Sequence, residues 1–306
     1  MNFKLLLFSL ILAAVLNSCG NNSNIADNED LLITDSIIAP ESVDIAKESM
    51  GELIDNVSSP IEIASLLINQ KVPFNKNYIS NTNNIDNLVS DFDCAINLGI
   101  LGTDLGYLNL YEKTSSVMST VGGINELANK LKVGQFFDFA LLKRFATNSN
   151  NLDSLIFTSI SSFNNMDDYL RSNNRTNISA LIVTGVWIES TSLATMVYSE
   201  NANEKIAERI GEQKLILNNL VLIIKNYDSN PRFAALLVDL IDLKVIFDEI
   251  IITTVEGEPE SVVENGMLVI RQTSTSTVNI TDEQIKIIGD KVSVLRNKLI
   301  NNNTNS

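Results

Sequence analysis

The sequence contains no histidine and only two cysteines, Cys19 and Cys94. Without histidine there is no Ser-His-Asp or Cys-His catalysis, no HExxH zinc site, no haem ligation by imidazole and no general base of the commonest kind. Two cysteines are too few for a thiolate zinc or iron–sulfur site. No Walker loop is present, and no GxGxxG follows a strand. The sequence therefore predicts no metal, no cofactor and no assigned catalytic residue.

Basic residues are also scarce. There are 22 Lys and Arg against 37 Asp and Glu, which gives a formal net charge of −15 at pH 7. No run of Lys and Arg interleaved with aromatic residues occurs. Because an acidic surface repels phosphate backbones, nucleic acid is excluded as a partner.

Residues 1–18 have the composition of a secretory signal peptide. Lys4 gives a positively charged start, and Leu5–Leu16 is apolar apart from Ser9. As a helix this run would reach only about 18 Å, short of the roughly 30 Å hydrocarbon core of a bilayer. A short apolar body followed by a cleavage site is typical of a cleaved signal peptide and not of a permanent membrane span.

The signal ends in Leu16-Asn17-Ser18-Cys19-Gly20, which resembles the lipobox of bacterial lipoproteins. The resemblance implies a diacylglyceryl group on the Cys19 thiol, cleavage just before it and, often, acylation of the new amino terminus with a fatty acid such as palmitate. Several acyl chains anchor a protein stably, since each buried CH₂ contributes about 0.8 kcal/mol. The alternative is an ordinary secretory signal with a cysteine by chance.

Residues 19–40 are rich in Asn, Asp, Glu and Ser and predict a flexible tether behind the lipidated cysteine. Gly20 after the cysteine, instead of Asp, resembles outer-membrane-destined lipoproteins. The resemblance implies a cell-envelope protein that is lipid-anchored at the outer membrane. Both the periplasmic and the surface-exposed side stay open.

Residues 41–306 predict one all-α domain of stacked antiparallel helix hairpins. One helix is expected to start at Pro60. Asn230-Pro231 is a cap and first-turn pair, and the segment behind it is apolar on more than one face, which predicts a helix deep in the bundle. Further apolar patterns of helical spacing cover residues 84–112, 116–132, 135–149, 151–172, 177–199, 203–227 and 230–253.

A small β element is predicted just before the last helix. Asn265-Gly266 stands between two apolar runs, which indicates a β-hairpin near 259–272. Thr273–Ile280 could add a short strand or an extended loop. Thr281, with Gln284 three residues on, predicts a capping box for the final helix.

An internal duplication of a four-helix unit is suggested by two alignments. The segment 101–105 aligns with 184–188, and 126–131 with 205–210. Helical sequences also align by chance, so both interpretations stay open. The segments Gly102–Leu105 and Thr184–Glu189 are similar to those of uncharacterised helical lipoproteins of Gram-negative bacteria, a resemblance that implies no activity.

Four side chains are candidates for a site or for the core. Asp104 and Glu189 lie in apolar helical contexts and could face each other as a carboxyl pair with shifted pKa values; alternatively, each binds a nearby polar group or turns to solvent. Trp187 either lines a pocket or packs in the core. Cys94 is expected to be a buried, inert thiol.

Three glycines on one helical face have two possible explanations. Gly99, Gly102 and Gly106 are spaced three and four residues apart, so they share one face. This bare face could hold a ligand or allow close helix packing, and Gly185 in the matching segment favours packing.

The sequence favours a lipid-anchored cell-envelope binding or scaffold protein, with the membrane as partner through Cys19 and an envelope protein or small ligand as a further partner. The first alternative is an envelope enzyme that uses Asp104 and Glu189, which would then converge in a pocket with unsatisfied oxygens. The second is a structural spacer, which would show no pocket and no large exposed apolar patch.

Overall fold

Helices make up most of the structure, a computed structural model that describes residues 72–146, 152–257, 260–264, 267–271 and 274–301. The predicted all-α class is confirmed. The segments predicted as signal peptide and tether, and the start of the helix predicted at Pro60, lie outside the described residues. The helices are α1 (Asp91–Leu110), α2 (Thr114–Lys130), α3 (Phe139–Ala146), α4 (Leu152–Ser172), α5 (Thr176–Glu200), α6 (Glu204–Lys225), α7 (Pro231–Asp248) and α8 (Asp282–Ile300).

Short connections join α1 to α2, α4 to α5, α5 to α6 and α6 to α7, and each of these pairs packs together. Helices joined by so few residues are antiparallel, so the predicted stacking of hairpins is confirmed. The last helix, α8, packs against both α5 and α7. Three short 3₁₀ helices cover Lys76–Tyr78, Thr82–Asn87 and Gly134–Phe136.

The central element is α5, which packs against α1, α4, α6 and α8. Within the described part of the chain it is the one helix long and apolar enough to cross a membrane. However, 89% of its apolar window is buried inside the protein. Its composition is therefore explained by core packing and gives only weak evidence for a membrane span.

The closest helix contact joins α1 and α5 at two glycines. A Cβ atom on Gly99 would overlap the carbonyl oxygen of Ile182, and one on Gly185 would overlap that of Ile96. The packing interpretation of these glycines is thus confirmed. Gly102 differs, because a Cβ there would meet only the ring of Phe163, at 3.4 Å.

Side-chain caps set several helix boundaries. Asn230 accepts a hydrogen bond from the backbone N–H of Arg232, and Thr281 and Gln284 form the predicted capping box. The segment predicted as a helix from residue 84 is corrected, because α1 begins only at Asp91. The side chain of Ser90 caps it by accepting the N–H of Asp93.

A β ribbon stands between α7 and α8. Its outer strands, β1 (Ile251–Glu256) and β4 (Ser274–Asn279), pair antiparallel, as do the inner strands β2 (Glu260–Glu264) and β3 (Met267–Arg271). The predicted hairpin and the additional strand are confirmed. The helix predicted to residue 253 instead ends at Asp248, because the β-branched residues of β1 favour a strand.

The prediction that α7 lies deep in the bundle is wrong. One face of the helix is buried through Phe233, Leu240 and Phe247, but Val238 and Val245 on the opposite face are exposed. A helix that is apolar on two faces can be central or can lie at the surface with one face uncovered. Here α5 occupies the centre.

Candidate functional site

The structure brings Asp104 of α1 and Glu189 of α5 together in the core, and we name these two residues the carboxyl pair. Asp104 is 1% exposed and Glu189 is 0% exposed. The two carboxyl groups are close enough for a hydrogen bond when one of them carries a proton. α1 and α5 also approach each other closely at Gly99 and Gly185, about one helical turn before these two residues.

Arg296 of α8 supplies the positive charge at the carboxyl pair. Its Nε donates to Glu189 Oε2 at 2.5 Å, and its Nη2 donates to Glu189 Oε1 at 2.7 Å. This two-point contact is the strongest geometry that an arginine makes with a carboxylate. The same Nη2 donates to Ser80 Oγ at 2.8 Å and to the carbonyl oxygen of Tyr78 at 3.2 Å.

Asp104 has a different environment from Glu189. The backbone N–H of Ser80 donates to Asp104 Oδ2 at 2.9 Å, whereas no donor among the described residues reaches Oδ1. Burial raises the pKa of Asp104 well above its usual range, and the charge of Glu189 raises it further, against the opposing effect of Arg296.

With a proton on Asp104, the site would hold one neutral acid, one carboxylate and one guanidinium. Such a cluster is electrically balanced, which is what burial of charged groups requires. Because both carboxyl groups are shielded from solvent, no substrate can contact them in this conformation. The arrangement therefore ties together α1, α5, α8 and the segment that carries Tyr78 and Ser80.

Trp187 does not join the carboxyl pair. It lies two residues before Glu189 and so projects from a different face of α5. The indole is fully buried and packs against Phe247 of α7, with ring centroids 6.1 Å apart. Of the two interpretations offered for Trp187, the structure shows core packing.

Cys94 is buried in α1, with Sγ 3.4 Å from the carbonyl oxygen of Leu88. Burial raises the pKa of its thiol, which disfavours the reactive thiolate. The expectation that Cys94 is buried is thus confirmed. Cys19, the predicted lipidation site, lies outside the described residues.

Sequence reasoning missed three members of the cluster: Tyr78, Ser80 and Arg296. Arg296 carried a usable signal, because it follows Val292 by four residues and precedes Leu299 by three on the buried face of α8. An arginine at such a position needs a buried partner. Ser80 and Tyr78 lie in a segment without periodicity, so nothing in the sequence points to them.

A second feature is an exposed apolar surface on the α6–α7 hairpin. On each helix the exposed residues are spaced three, four or seven apart, so they form one stripe opposite the buried face. The two helices pack against each other, and we name these two stripes together the outer apolar surface. Its members are Leu215 (58% exposed), Leu222 (63%), Val238 (65%), Ile241 (45%) and Val245 (56%).

The structure as a whole defines a class: a helical bundle around one buried helix, with a β ribbon before its last helix. No group of three His, Cys, Asp or Glu side chains suited to a metal ion occurs in the described part of the chain. No family model, no curated protein and no solved structure matches this chain.

Proposed function

We propose that this chain is a non-enzymatic, lipid-anchored binding protein of the bacterial cell envelope. In this proposal Cys19 carries the lipid, and the outer apolar surface binds another envelope protein. The observation that carries the proposal is the exposure of five large apolar side chains on two adjacent helices. Contiguous apolar surface of this kind marks interaction sites on otherwise polar proteins.

The enzyme alternative is less well supported. Asp104 and Glu189 converge, and Asp104 Oδ1 has no hydrogen-bond donor among the described residues, as that alternative requires, but both carboxyl groups are buried from solvent. A catalytic carboxyl group has to reach the proton that it transfers. The carboxyl pair is therefore better explained as a buried interaction that stabilises the packing of α1, α5 and α8 than as an active site.

The spacer alternative predicts no large exposed apolar patch. The exposed residues of the outer apolar surface disagree with that prediction, so this alternative is less well supported. Burying a Val, Leu or Ile side chain fully contributes about 1.5–3 kcal/mol. Val238, Ile241 and Val245 are 65%, 45% and 56% exposed, so about half of this stabilisation is not realised in the isolated chain. A partner that covers the surface would recover it.

Charge and shape indicate the kind of partner. The net charge of −15 disfavours a second copy of the same chain and anionic lipid head groups, because both carry like charge. Two adjacent helices with apolar stripes form ridges with a groove between them. We therefore propose as partner a different protein that lays an amphipathic helix along α6 and α7.

Replacing Cys19 with alanine is expected to abolish acylation and to release the domain from membranes, because no acceptor for the lipid remains. Metabolic labelling with a fatty-acid analogue and membrane fractionation measure both effects. Cys94→Ala is the matched control, since it removes the other cysteine and should leave labelling intact. A Cys19→Ala protein that is still labelled and sediments with membranes would overturn the anchor.

The outer apolar surface is tested by introducing a charge at its centre. A photo-crosslinking amino acid at Val245 is expected to give a discrete adduct with another envelope protein in intact cells. Val238→Asp should abolish this adduct, since burying an unpaired carboxylate is costly. Val294→Asp on α8, which changes a residue that is 70% exposed, is the matched control and should leave the adduct unchanged.

Three outcomes would contradict this binding surface. The adduct could be absent, it could be equally weakened by Val294→Asp, or mass spectrometry could identify the crosslinked partner as a second copy of the chain. Thermal unfolding of both variants shows that a lost adduct does not reflect a lost fold.

A further inference from the structure

A polar residue, Asn218, interrupts the apolar stripe of α6. It follows Leu215 by three residues and precedes Leu222 by four, so the three side chains share one face of the helix. The stripe of α7 has no polar residue at the corresponding position, which Ile241 occupies. The outer apolar surface therefore surrounds one amide side chain.

Asn218 faces the groove between α6 and α7. It follows Lys214 by four residues, so both side chains lie on the same side of α6. Lys214 Nζ donates to the carbonyl oxygens of Asp248, at 3.1 Å, and Ile250, at 2.7 Å, at the end of α7. This side of α6 is therefore the one toward α7. Because the two helices are antiparallel, Asn218, seven residues before the end of α6, lies level with Val238, seven residues after the start of α7.

Both stripes have the spacing of a coiled-coil seam. Steps of three and then four residues separate the members of each stripe: Leu215, Asn218 and Leu222 on α6; Val238, Ile241 and Val245 on α7. This spacing presents a continuous row of side chains to a neighbouring helix that runs nearly along the same axis. The groove is therefore suited to one further helix.

The amide oxygen of Asn218 has no hydrogen bond among the described residues. The side chain as a whole is partly exposed, but Oδ1 is buried. A buried polar atom without a partner is unfavourable, and most such atoms in native proteins are paired. An apolar residue at this position would continue the stripe without that cost.

We propose that Asn218 sets the register of the amphipathic helix that binds the outer apolar surface, by accepting a hydrogen bond from an uncharged polar side chain of that helix. This inference rests on the proposed function and names a feature that the partner must carry. The last torsion of an asparagine side chain has broad preferences, so the amide can turn toward the arriving helix. A lysine or arginine would be buried without a counterion, which is costly. The partner helix therefore carries one Asn, Gln, Ser or Thr within an otherwise apolar stripe.

Apolar packing alone would leave the register open. The apolar positions of such a helix repeat every seven residues, so the helix could shift along the groove by one repeat with similar packing. A single polar pair removes this freedom, because every shifted register leaves Asn218 and the partner's polar side chain without a hydrogen bond.

The position of crosslinking on the partner tests the register. The photo-crosslinking amino acid at Val245 should attach to one position of the partner, which mass spectrometry of the digested adduct identifies. In Asn218→Leu the adducts should spread to further positions, shifted by about seven residues along the partner. Asn219→Leu is the matched control, because it makes the same change at an exposed residue on a different side of α6, and it should keep the single position.

The outcomes separate the register role from the function on which it rests. Absence of any adduct without a change at Asn218 would contradict both. An adduct that stays at one position in Asn218→Leu, or that this variant loses altogether, would overturn the register role alone. A crosslinked helix without an uncharged polar residue in its apolar stripe would overturn it as well.

Thermal unfolding of the purified full-length protein tests whether Asn218 serves the fold instead. Because Oδ1 has no hydrogen bond to lose in the described structure, Asn218→Leu should unfold at the temperature of the wild type or at a higher one. A midpoint several degrees lower would show that Asn218 stabilises the fold, and the proposal would be wrong.

Discussion

Replacing Arg296 with methionine is expected to lower the free energy of unfolding by about 3–5 kcal/mol. The substitution keeps an unbranched apolar stem but removes the only cation within hydrogen-bond distance of Glu189 in the described structure. Glu189 is then a buried charge beside Asp104 without a counterion. Breaking a buried ion pair on one side costs far more than the pair contributes, because the remaining charge cannot be solvated.

Urea unfolding measures this loss, and the fluorescence of Trp187 is a suitable signal. Trp187 is the single tryptophan, and it is fully buried, so its emission reports on the core. Lys291→Met on the same helix is the matched control. Its partner Asp242 is largely exposed, and such surface pairs contribute about 0–1 kcal/mol.

The double variant Arg296→Met with Glu189→Gln separates charge from packing. Removing the carboxylate together with the arginine should restore part of the stability lost in Arg296→Met, since no unpaired charge remains. If Arg296→Met lost no more stability than Lys291→Met, the ionic account of the cluster would be wrong. Equal losses in the single and double variants would point to packing instead.

Replacing Gly99 with alanine is expected to destabilise the protein by about 3 kcal/mol, although the change adds only one methyl group. The new Cβ would overlap the carbonyl oxygen of Ile182 and lie 2.8 Å from the backbone N of Val186. These are backbone atoms of the central helix, so they cannot rotate away. The two helices would have to separate along their length.

The sign of this effect makes the experiment decisive. Alanine in a helix interior is normally more favourable than glycine by up to about 1 kcal/mol. Gly122→Ala on α2 is the control, because nothing lies within 4 Å of its added Cβ, and it should stabilise the protein. If urea unfolding showed Gly99→Ala to be as stable as Gly122→Ala, the close packing of α1 on α5 would be contradicted.

Most helices could be predicted because their signals are local. Asn230-Pro231 and the capping box of Thr281 and Gln284 set the starts of α7 and α8 through bonds to residues two or three positions away. The predictions failed where local patterns were ambiguous. Ile251–Val255 continued the apolar pattern of α7, so its preference for a strand showed only through its pairing with β4.

The carboxyl pair could be predicted only in part. An acidic residue among apolar residues at helical spacing is unusual. This pattern is why Asp104 and Glu189 could be named as candidates from the sequence. Their third partner, Arg296, lies 107 residues from Glu189, and no periodicity links it to either acid. The part of the outer apolar surface that lies on α7 was misinterpreted as core, because hydrophobic spacing shows that a face is apolar and not that it is covered.

The sequence by itself determined the secondary structure at well-capped ends and the chemistry excluded by the absence of histidine, and it predicts lipid attachment at Cys19. Each of these depends on residue type or on neighbours within one helical turn. The tertiary structure alone decided that α5 is central while α7 is at the surface, and that Asp104, Glu189 and Arg296 share one buried cluster. Burial and charge pairing depend on contacts between segments that are far apart in the sequence. The local spacing of residues does not show which of these segments come into contact.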